Sequence, residues 1–183
     1  GIELDGRWAI TDNFSLAFAA QSTEAEYDDY DGAQCNSLDA KLAVIDNGGD
    51  PLTPCFVDAS GEQLPFAPEW SFTLAPEYRA TLGDFYLTGS ANIIFSDGFR
   101  LFSVDGDPID EIDSWERVDL RLALTPADGN WEVAIYGRDI TDERLQTQDA
   151  FEFLSKSYDT VYDAGGVGRE RGTRYGIQMR YAF

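Results

Sequence analysis

The chain has 183 residues, of which 43% are hydrophobic and 26% charged, so it is long enough for one substantial domain and too apolar to be disordered. Lysine and arginine together number 13 against 34 acidic residues, and the net charge of −21 repels phosphate backbones and anionic lipid head groups. Nucleic acid is therefore excluded as a partner. The sequence has no histidine, which removes histidine-based triads and histidine metal sites. We expect no enzyme, with no catalytic residues, metal ligands or cofactor.

The opening segment GIELDGRWAI lacks the charged start and apolar core of a secretory signal. We therefore expect the chain to begin inside a larger or processed polypeptide. No window approaches the roughly 18 consecutive apolar residues that a membrane-spanning helix requires. If this chain spans a membrane, it does so with strands.

Apolar and polar residues alternate with a period of two along much of the chain, which is typical of strands with two different faces. In the final segment, Tyr175, Ile177 and Met179 share one face, and small, polar or charged residues separate them. In chain order, strands are predicted at residues 2–10, 14–21, 70–82, 85–95, 117–124, 131–138 and 173–183. The fold class is therefore all-β, with about seven antiparallel strands.

Two cysteines, Cys35 and Cys55, lie in a stretch rich in Gly, Pro, Asn and Asp. Their even number and irregular setting favour a disulfide formed in an oxidising compartment, and a reduced pair in a cytosolic loop is the alternative. A bridge would close a loop of about 20 residues and contribute on the order of 3 kcal/mol in the chain-entropy model. We interpret it as a brace for the longest loop.

The apolar rows of the predicted strands contain no charge, which matters because a Lys or Arg facing lipid at mid-membrane costs about 2–4 kcal/mol in an outer-membrane barrel. The strands of a soluble β-sandwich would show a similar alternation of apolar and polar residues. The positions of the aromatic residues therefore distinguish a membrane barrel from a soluble sandwich. They are predicted to form two girdles, as in membrane barrels. One girdle contains Trp8, Trp70, Phe95, Trp115 and Tyr175, and the other contains Phe14, Tyr78, Phe85, Trp131, Tyr181 and Phe183.

The predicted connections alternate in length. Short links at 11–13, 83–84 and 127–129 contain the Asn, Asp or Gly that tight turns need. Long links cover about 24–68, 97–114 and 142–172, so every long loop lies at one end of the sheet, as in outer-membrane barrels. Seven strands cannot close an ordinary single-chain barrel, which uses an even number, so we expect at least one strand upstream. Pro76 predicts a local irregularity.

Five segments, in this order, resemble the C-terminal part of a TonB-dependent outer-membrane receptor. They are GIELDGRW, LPFAPEWSFTLAPEYR, WERVDLRLAL, WEVAIYGRDITDERL and RGTRYGIQMRYAF. One departure is Asp139, which stands where the family usually has Asn. The resemblance covers essentially residues 1–183. It implies that the chain forms roughly the last third of a 22-stranded transmembrane β-barrel and contains neither the plug domain nor the TonB box.

The resemblance implies a receptor in the bacterial outer membrane that imports a scarce nutrient such as a ferric siderophore, cobalamin or a sugar. Its implied partners are the TonB complex, reached through the missing plug domain, outer-membrane lipid and a small-molecule ligand. Tyr175, Ile177, Met179, Tyr181 and Phe183 resemble the C-terminal signal that the barrel-assembly machinery recognises. Physically, such a signal is an exposed edge strand with an apolar face, and a plain lipid-facing strand is the alternative interpretation.

Two acidic stretches, residues 24–31 and 105–116, lie on predicted external loops. Hard cations such as calcium take carboxylate oxygens, but neither stretch has EF-hand spacing, so solvated charge is the favoured interpretation. Tyr27, Tyr30 and Trp115 offer aromatic contacts to an incoming ligand, but no residue is assigned to ligand binding. Charges that alternate in sign along the polar rows fit a wet lumen or contacts with a plug.

Two other functions stay open from the sequence. An outer-membrane lipase or acyltransferase is disfavoured by the absence of histidine and of a Gly-x-Ser-x-Gly elbow. A soluble secreted β-domain that acts as a binding module would remain monomeric and folded without detergent.

Overall fold

A computed structural model describes residues 1–101, 111–143, 146–149, 167–169 and 172–182. Within these residues, the strands are β1 (Ile2–Thr11), β2 (Phe14–Ser22), β3 (Ala33–Gln34), β4 (Phe56–Val57), β5 (Trp70–Leu82), β6 (Phe85–Ser96), β7 (Phe99–Arg100), β8 (Glu111–Ile112), β9 (Trp115–Pro126), β10 (Trp131–Arg138), β11 (Gln146–Asp149), β12 (Val167–Arg169) and β13 (Arg174–Tyr181), and the helix is α1 (Ser37–Asp46). No described helix is long and apolar enough to cross a membrane.

Seven long strands form one antiparallel sheet in the order β1-β2-β5-β6-β9-β10-β13. Each of these strands pairs with the next one along the chain, so the sheet is a simple meander. All seven strands predicted from the alternation are confirmed, and their bounds differ from the prediction by a few residues at most. The remaining strands are short and lie in the long connections.

The sheet has an apolar face and a polar face. The apolar face carries every second residue of each strand, and most of these residues are hydrophobic. This face is exposed: the side chains of Leu120, Ile135 and Ile177 are 45%, 54% and 72% exposed. The buried hydrophobic residues among those described are few and lie elsewhere: Ala33, Ala59, Leu101, Ile112, Ala123 and Ala134. A soluble domain would cover such a face with a second layer, because exposed apolar area costs about 25 cal/mol per Å².

Side chains on the apolar face pack against one another along the registers. Ile135 lies between Leu122 and Ile177 on its two neighbouring strands, so the three form one continuous apolar row. Further along the sheet, the rings of Phe72 and Phe95 stack with centroids 5.0 Å apart. Such cross-strand pairs stabilise a sheet by a few tenths to about 1 kcal/mol each.

The polar face is held together by charge pairs and ring contacts. Arg121 Nη2 lies 2.6 Å from Glu132 Oε1, with both side chains only partly exposed. The guanidinium of Arg79 lies 4.2 Å from the centre of the Tyr86 ring. Arg121 and Glu132 are therefore a pair of opposite charges that joins β9 to β10, and the face is suited to water or to a polar partner.

Short turns join the strands at one end of the sheet, which we call the short-turn end. Gly83 and Gly129 have positive φ of 60° and 70°, which a glycine adopts without a steric penalty. At the first turn, the hydroxyl of Thr11 accepts the backbone N–H of Phe14 at 3.0 Å. The long loops lie at the opposite end of the sheet, which we call the long-loop end. The prediction that short turns and long loops lie at opposite ends is confirmed for these turns.

Pro76 lies in a central strand without a bulge. The β5–β6 register runs from Ser71 to Leu74, resumes at Glu77 opposite Ser90, and is the same on both sides of the gap. The expected irregularity is thus a local interruption of the ladder, because proline has no N–H to donate to β6. On its other side, Pro76 still lies opposite Leu16 of β2.

Two predicted girdle positions are wrong. Trp115 pairs with Ser96 on the polar face, where Arg117 lies 5.5 Å from its ring centre, because β9 begins earlier than predicted. Trp8 lies near the short-turn end, since it is only three residues from Thr11 at the end of β1. Trp70 and Tyr175 do lie at the long-loop end, and Phe183 is outside the described residues.

Candidate functional site

The longest connection, between β2 and β5, rises from the long-loop end on a stalk of backbone hydrogen bonds. Thr23 N–H donates to the carbonyl of Glu69 at 2.9 Å, and Leu64 N–H donates to that of Ala25 at 2.8 Å. An isolated bridge pairs Glu26 with Gln63. The stalk continues the β2–β5 pairing beyond the sheet, so the loop above it is held at a fixed position.

The upper part of this loop is braced by the disulfide Cys35–Cys55, with the two Cα atoms 5.5 Å apart. The predicted bridge is therefore confirmed. It lies beside the short β3–β4 pair, in which Ala33 faces Val57. Ala33 and Ala59 are fully buried, so the loop has a small core of its own.

Replacing both Cys35 and Cys55 with serine should destabilise the braced loop by about 3 kcal/mol, because the unfolded loop regains the conformations that a 20-residue closure removes. Amide hydrogen exchange checks this: protection should fall in residues 33–59 and stay unchanged in the sheet strands. Reducing the parent protein should reproduce the pattern. Unchanged exchange in the loop after both treatments would contradict the bracing role.

The helix α1 was not predicted from the sequence. Its N-cap is Asn36. The side chain of Asn36 accepts the N–H of Asp39 at 2.8 Å, and at the other end Gly49 N–H donates to the carbonyl of Val44. Both features are ordinary helix termini. Sequence reasoning treated the whole segment as irregular because of its Gly and Pro content, although the Asn-Ser-Leu-Asp start was a readable capping signal.

A second connection packs against the first through Arg100. Its Nη1 lies 2.6 Å from Oε2 of Glu62, and its carbonyl accepts the N–H of Phe66 at 2.8 Å. The rings of Phe66 and Phe99 are 6.2 Å apart. Leu101 is 3% exposed beneath this contact. The described parts of the two connections therefore form one packed unit above the sheet.

The Arg100–Glu62 pair should contribute roughly 1 kcal/mol, since the two side chains are 21% and 42% exposed and water screens the charges in part. A double-mutant cycle with Arg100→Gln, Glu62→Gln and the double variant measures this coupling by thermal unfolding. Arg121→Gln with Glu132→Gln provides a matched cycle on the polar face. A coupling indistinguishable from zero for the first pair alone would show that this ion pair does not stabilise the contact between the two loops, which the Phe66–Arg100 backbone hydrogen bond also joins.

The acidic stretch 24–31 begins in the stalk, and the rings of Tyr27 and Tyr30 lie 5.0 Å apart. No group of three or more Asp, Glu, Cys or His positioned for a metal occurs among the residues that the structure describes. Nearby, Ser60 donates hydrogen bonds from its side chain and backbone to Asp58, which lower the pKa of that carboxyl. Of the stretch 105–116, residues 105–110 lie outside the described residues.

Below the loops, the polar face has two open depressions. One, of about 460 Å³, has Glu3, Asp5, Thr73 and Trp115 among its lining residues. The other, of about 440 Å³, has Asp119, Arg121, Tyr136 and Arg138 among its lining residues. Trp115 is thus placed beside a polar depression, where an aromatic contact to a ligand or a packed domain is available.

The segment GRDITDE forms the connection at the long-loop end of β10, and within it Gly137 and Asp139 are buried. Asp139 is 3% exposed with φ of 51°, and its Oδ1 accepts the N–H of Glu143 at 2.9 Å. Asp119 on β9 accepts the N–H of Asp139, and Thr173, which precedes β13, donates its hydroxyl to the Asp139 carbonyl. Asp139 therefore links three strands, and its buried Oδ2 has no hydrogen-bond partner among the described residues.

The residues predicted as a C-terminal signal lie on β13. Tyr175, Ile177, Met179 and Tyr181 are 67–77% exposed on the apolar face, and Phe183 is outside the described residues. Within the described sheet, β13 is an edge strand and pairs with β10 alone. The Tyr175 ring covers Gly137, where a Cβ would lie about 3.0 Å from ring atoms. None of these contacts tests recognition by the barrel-assembly machinery, so the C-terminal signal stays a prediction.

The sheet and its loops are similar to parts of two solved structures. One is the ferric yersiniabactin uptake receptor FyuA from Yersinia pestis, with a TM-score of 0.66, 12% identity, and coverage of 99% of this chain and 23% of that chain. The other is the siderophore receptor PiuA from Acinetobacter baumannii, with a TM-score of 0.61, 19% identity, and coverage of 97% and 20%. No family model and no curated protein matches the chain.

This likeness confirms the predicted fold class, an antiparallel sheet of barrel strands like those of the two solved structures. The chain spans about a fifth of the length of the receptors that it matches.

Proposed function

We propose that residues 1–183 are the C-terminal portion of the β-barrel of a TonB-dependent receptor in the bacterial outer membrane. The observation that carries this proposal is the open apolar face, where Ile135 and Ile177 are 54% and 72% exposed on the side opposite the Arg121–Glu132 pair. A bilayer stabilises such a face and water does not. The match of 99% of the chain to a receptor barrel supports it.

In this proposal, the polar face lines the lumen and contacts a plug domain, through which the TonB complex acts. The depressions beside Trp115 and Arg121 give that face an uneven, hydrogen-bonding wall. The braced loops lie on the outer surface, where an incoming ligand contacts them before it enters the lumen. The apolar face contacts outer-membrane lipid, and the end of β13 is the segment that the barrel-assembly machinery engages. We propose no enzymatic activity.

Among the nutrients that such receptors import, a ferric siderophore is the class we propose. The support is that, of the two solved structures described above, one is named as a siderophore receptor and the other as a ferric yersiniabactin uptake receptor. Cobalamin and sugars have no comparable support here.

Uptake of radioactive iron tests the proposal directly. Cells that express the protein and cells that lack its gene are supplied with a panel of ⁵⁵Fe-loaded siderophores under iron starvation. We expect at least one ferric siderophore to enter only when the protein is present, and we expect a protonophore or loss of TonB to abolish that uptake. Uptake that does not depend on the protein for any siderophore would contradict the substrate class, and uptake that persists without TonB would contradict the coupling.

A further inference from the structure

The helix α1 presents an apolar stripe that the described residues leave partly exposed. Leu38, Leu42 and Ile45 are 40%, 47% and 63% exposed, and their spacing of four and three residues places them on one side of the helix. On a loop with a core of its own, helical leucines are ordinarily turned inward. Here Ala40, Ala43 and Val44 are the less exposed positions, so the larger side chains point outward.

The loop that carries this stripe has a strongly acidic sequence. Lys41 is the only basic residue between positions 23 and 69. The acidic residues of the same segment are Glu24, Glu26, Asp28, Asp29, Asp31, Asp39, Asp46, Asp50, Asp58, Glu62 and Glu69. At the helix C-terminus, Asp46 and the nearby Asp50 add to the negative end of the helix dipole, and the last turn has no basic residue.

This charge decides among the possible occupants of the stripe. An anionic membrane surface and a nucleic acid would be repelled. A second copy of the same acidic loop would place like charges against each other, which costs several kcal/mol at an interface. A polypeptide that carries both apolar and basic side chains gains from the exposed stripe and from the carboxylates together.

We propose that α1 is a docking surface for a cationic amphipathic segment of another protein. The apolar side chains of that segment would cover Leu38, Leu42 and Ile45, while its Lys or Arg side chains would lie near Asp46 and Asp50. The disulfide and the β3–β4 pair hold the helix in place beforehand, which lowers the ordering cost of binding. The inference depends on the loop alone and holds whether or not the protein transports a siderophore.

The probe is a fluorescent 15-residue helical peptide made of leucine and lysine, with leucines spaced to form one face. Its binding to the purified protein in a non-ionic detergent is followed by fluorescence anisotropy. The triple variant Leu38→Gln, Leu42→Gln, Ile45→Gln keeps good helix formers and should weaken binding at least tenfold. The variant Asp46→Asn, Asp50→Asn should weaken it about threefold at low salt, and this difference should fall as salt is added.

Leu82→Gln is the matched control, because it removes a 52% exposed leucine at the short-turn end, a full strand away from α1. It should bind the peptide as the parent protein does. A peptide with glutamate in place of lysine should not bind. Equal binding by the parent protein and the triple variant, or binding of the glutamate peptide as tight as that of the lysine peptide, would overturn the proposal. Circular dichroism and the intact disulfide verify that each variant is folded.

Discussion

Replacing Ile177 with arginine should lower the free energy of unfolding in bilayers by about 2–4 kcal/mol and reduce the amount of protein in the outer membrane. Ile177 is at the middle of β13, lies opposite Ile135, and is 72% exposed on the apolar face. In a bilayer, that exposure means contact with acyl chains, where a guanidinium loses its hydration. In a water-soluble protein, the same exposure would make the substitution almost neutral.

Gln178→Arg is the matched control, since it introduces the same side chain one residue further along the same strand. Gln178 lies opposite Ala134 and lines a polar depression beside Arg138. We expect its unfolding free energy to stay within about 0.5 kcal/mol of the parent value. Urea unfolding in phospholipid vesicles, followed by tryptophan fluorescence, measures both variants. Equal stability of the two would place the apolar face outside the lipid.

Replacing Asp139 with alanine should lower the free energy of unfolding by about 3–4 kcal/mol. Alanine at φ of 51° pays roughly 1–2 kcal/mol for the left-handed conformation, and loss of the carboxylate that accepts the Glu143 N–H removes a charge-assisted hydrogen bond of about 1.5–3 kcal/mol. The backbone N–H and carbonyl of Asp139, which alanine keeps, bond to Asp119 and Thr173, so strain at this residue should loosen these two contacts at the long-loop end. Chemical unfolding gives the total, and hydrogen exchange at β10 and β13 locates it.

Asp139→Asn separates the shape of this residue from its charge. Asparagine tolerates positive φ, keeps the acceptor for Glu143, and replaces the buried carboxylate, whose Oδ2 has no hydrogen-bond partner in the part of the chain that the structure describes. We expect this variant to be as stable as the parent protein or up to about 1 kcal/mol more stable. A loss as large as that of the alanine variant would show that the carboxylate charge itself holds the segment. The family that the sequence resembles usually has Asn at this position, which agrees with this expectation.

The strands could be predicted because a sheet with two unlike faces imposes a period of two on the sequence, and a one-residue slip would expose the wrong side of every strand. The same rule explains the error at Trp115. Its parity matches that of Arg117 and Asp119, so a β9 that begins at Trp115 places the indole on the polar face. The prediction began the strand two residues later and treated Trp115 as part of a girdle.

The loops were less accessible to sequence reasoning, because their contacts join distant positions. The Arg100–Glu62 pair connects residues 38 positions apart, and neither residue has a local signal that identifies the other. The Cys35–Cys55 bridge was predictable because these are the only two cysteines. The role of Asp139 was visible only as a departure from a motif, since the burial that makes it important depends on β9 and on Thr173.

A nitroxide scan of β13 tests most directly whether the apolar face lies in lipid. Because the described residues contain no free cysteine, a cysteine introduced in turn at each position from 174 to 181 can be labelled alone, and the protein is reconstituted into bilayers. We predict that collision with dissolved oxygen is high at Tyr175, Ile177, Met179 and Tyr181 and low at the positions between them, with the opposite pattern for a water-soluble nickel chelate. High accessibility to the chelate at Ile177 and Met179, or no alternation along the strand, would contradict the account.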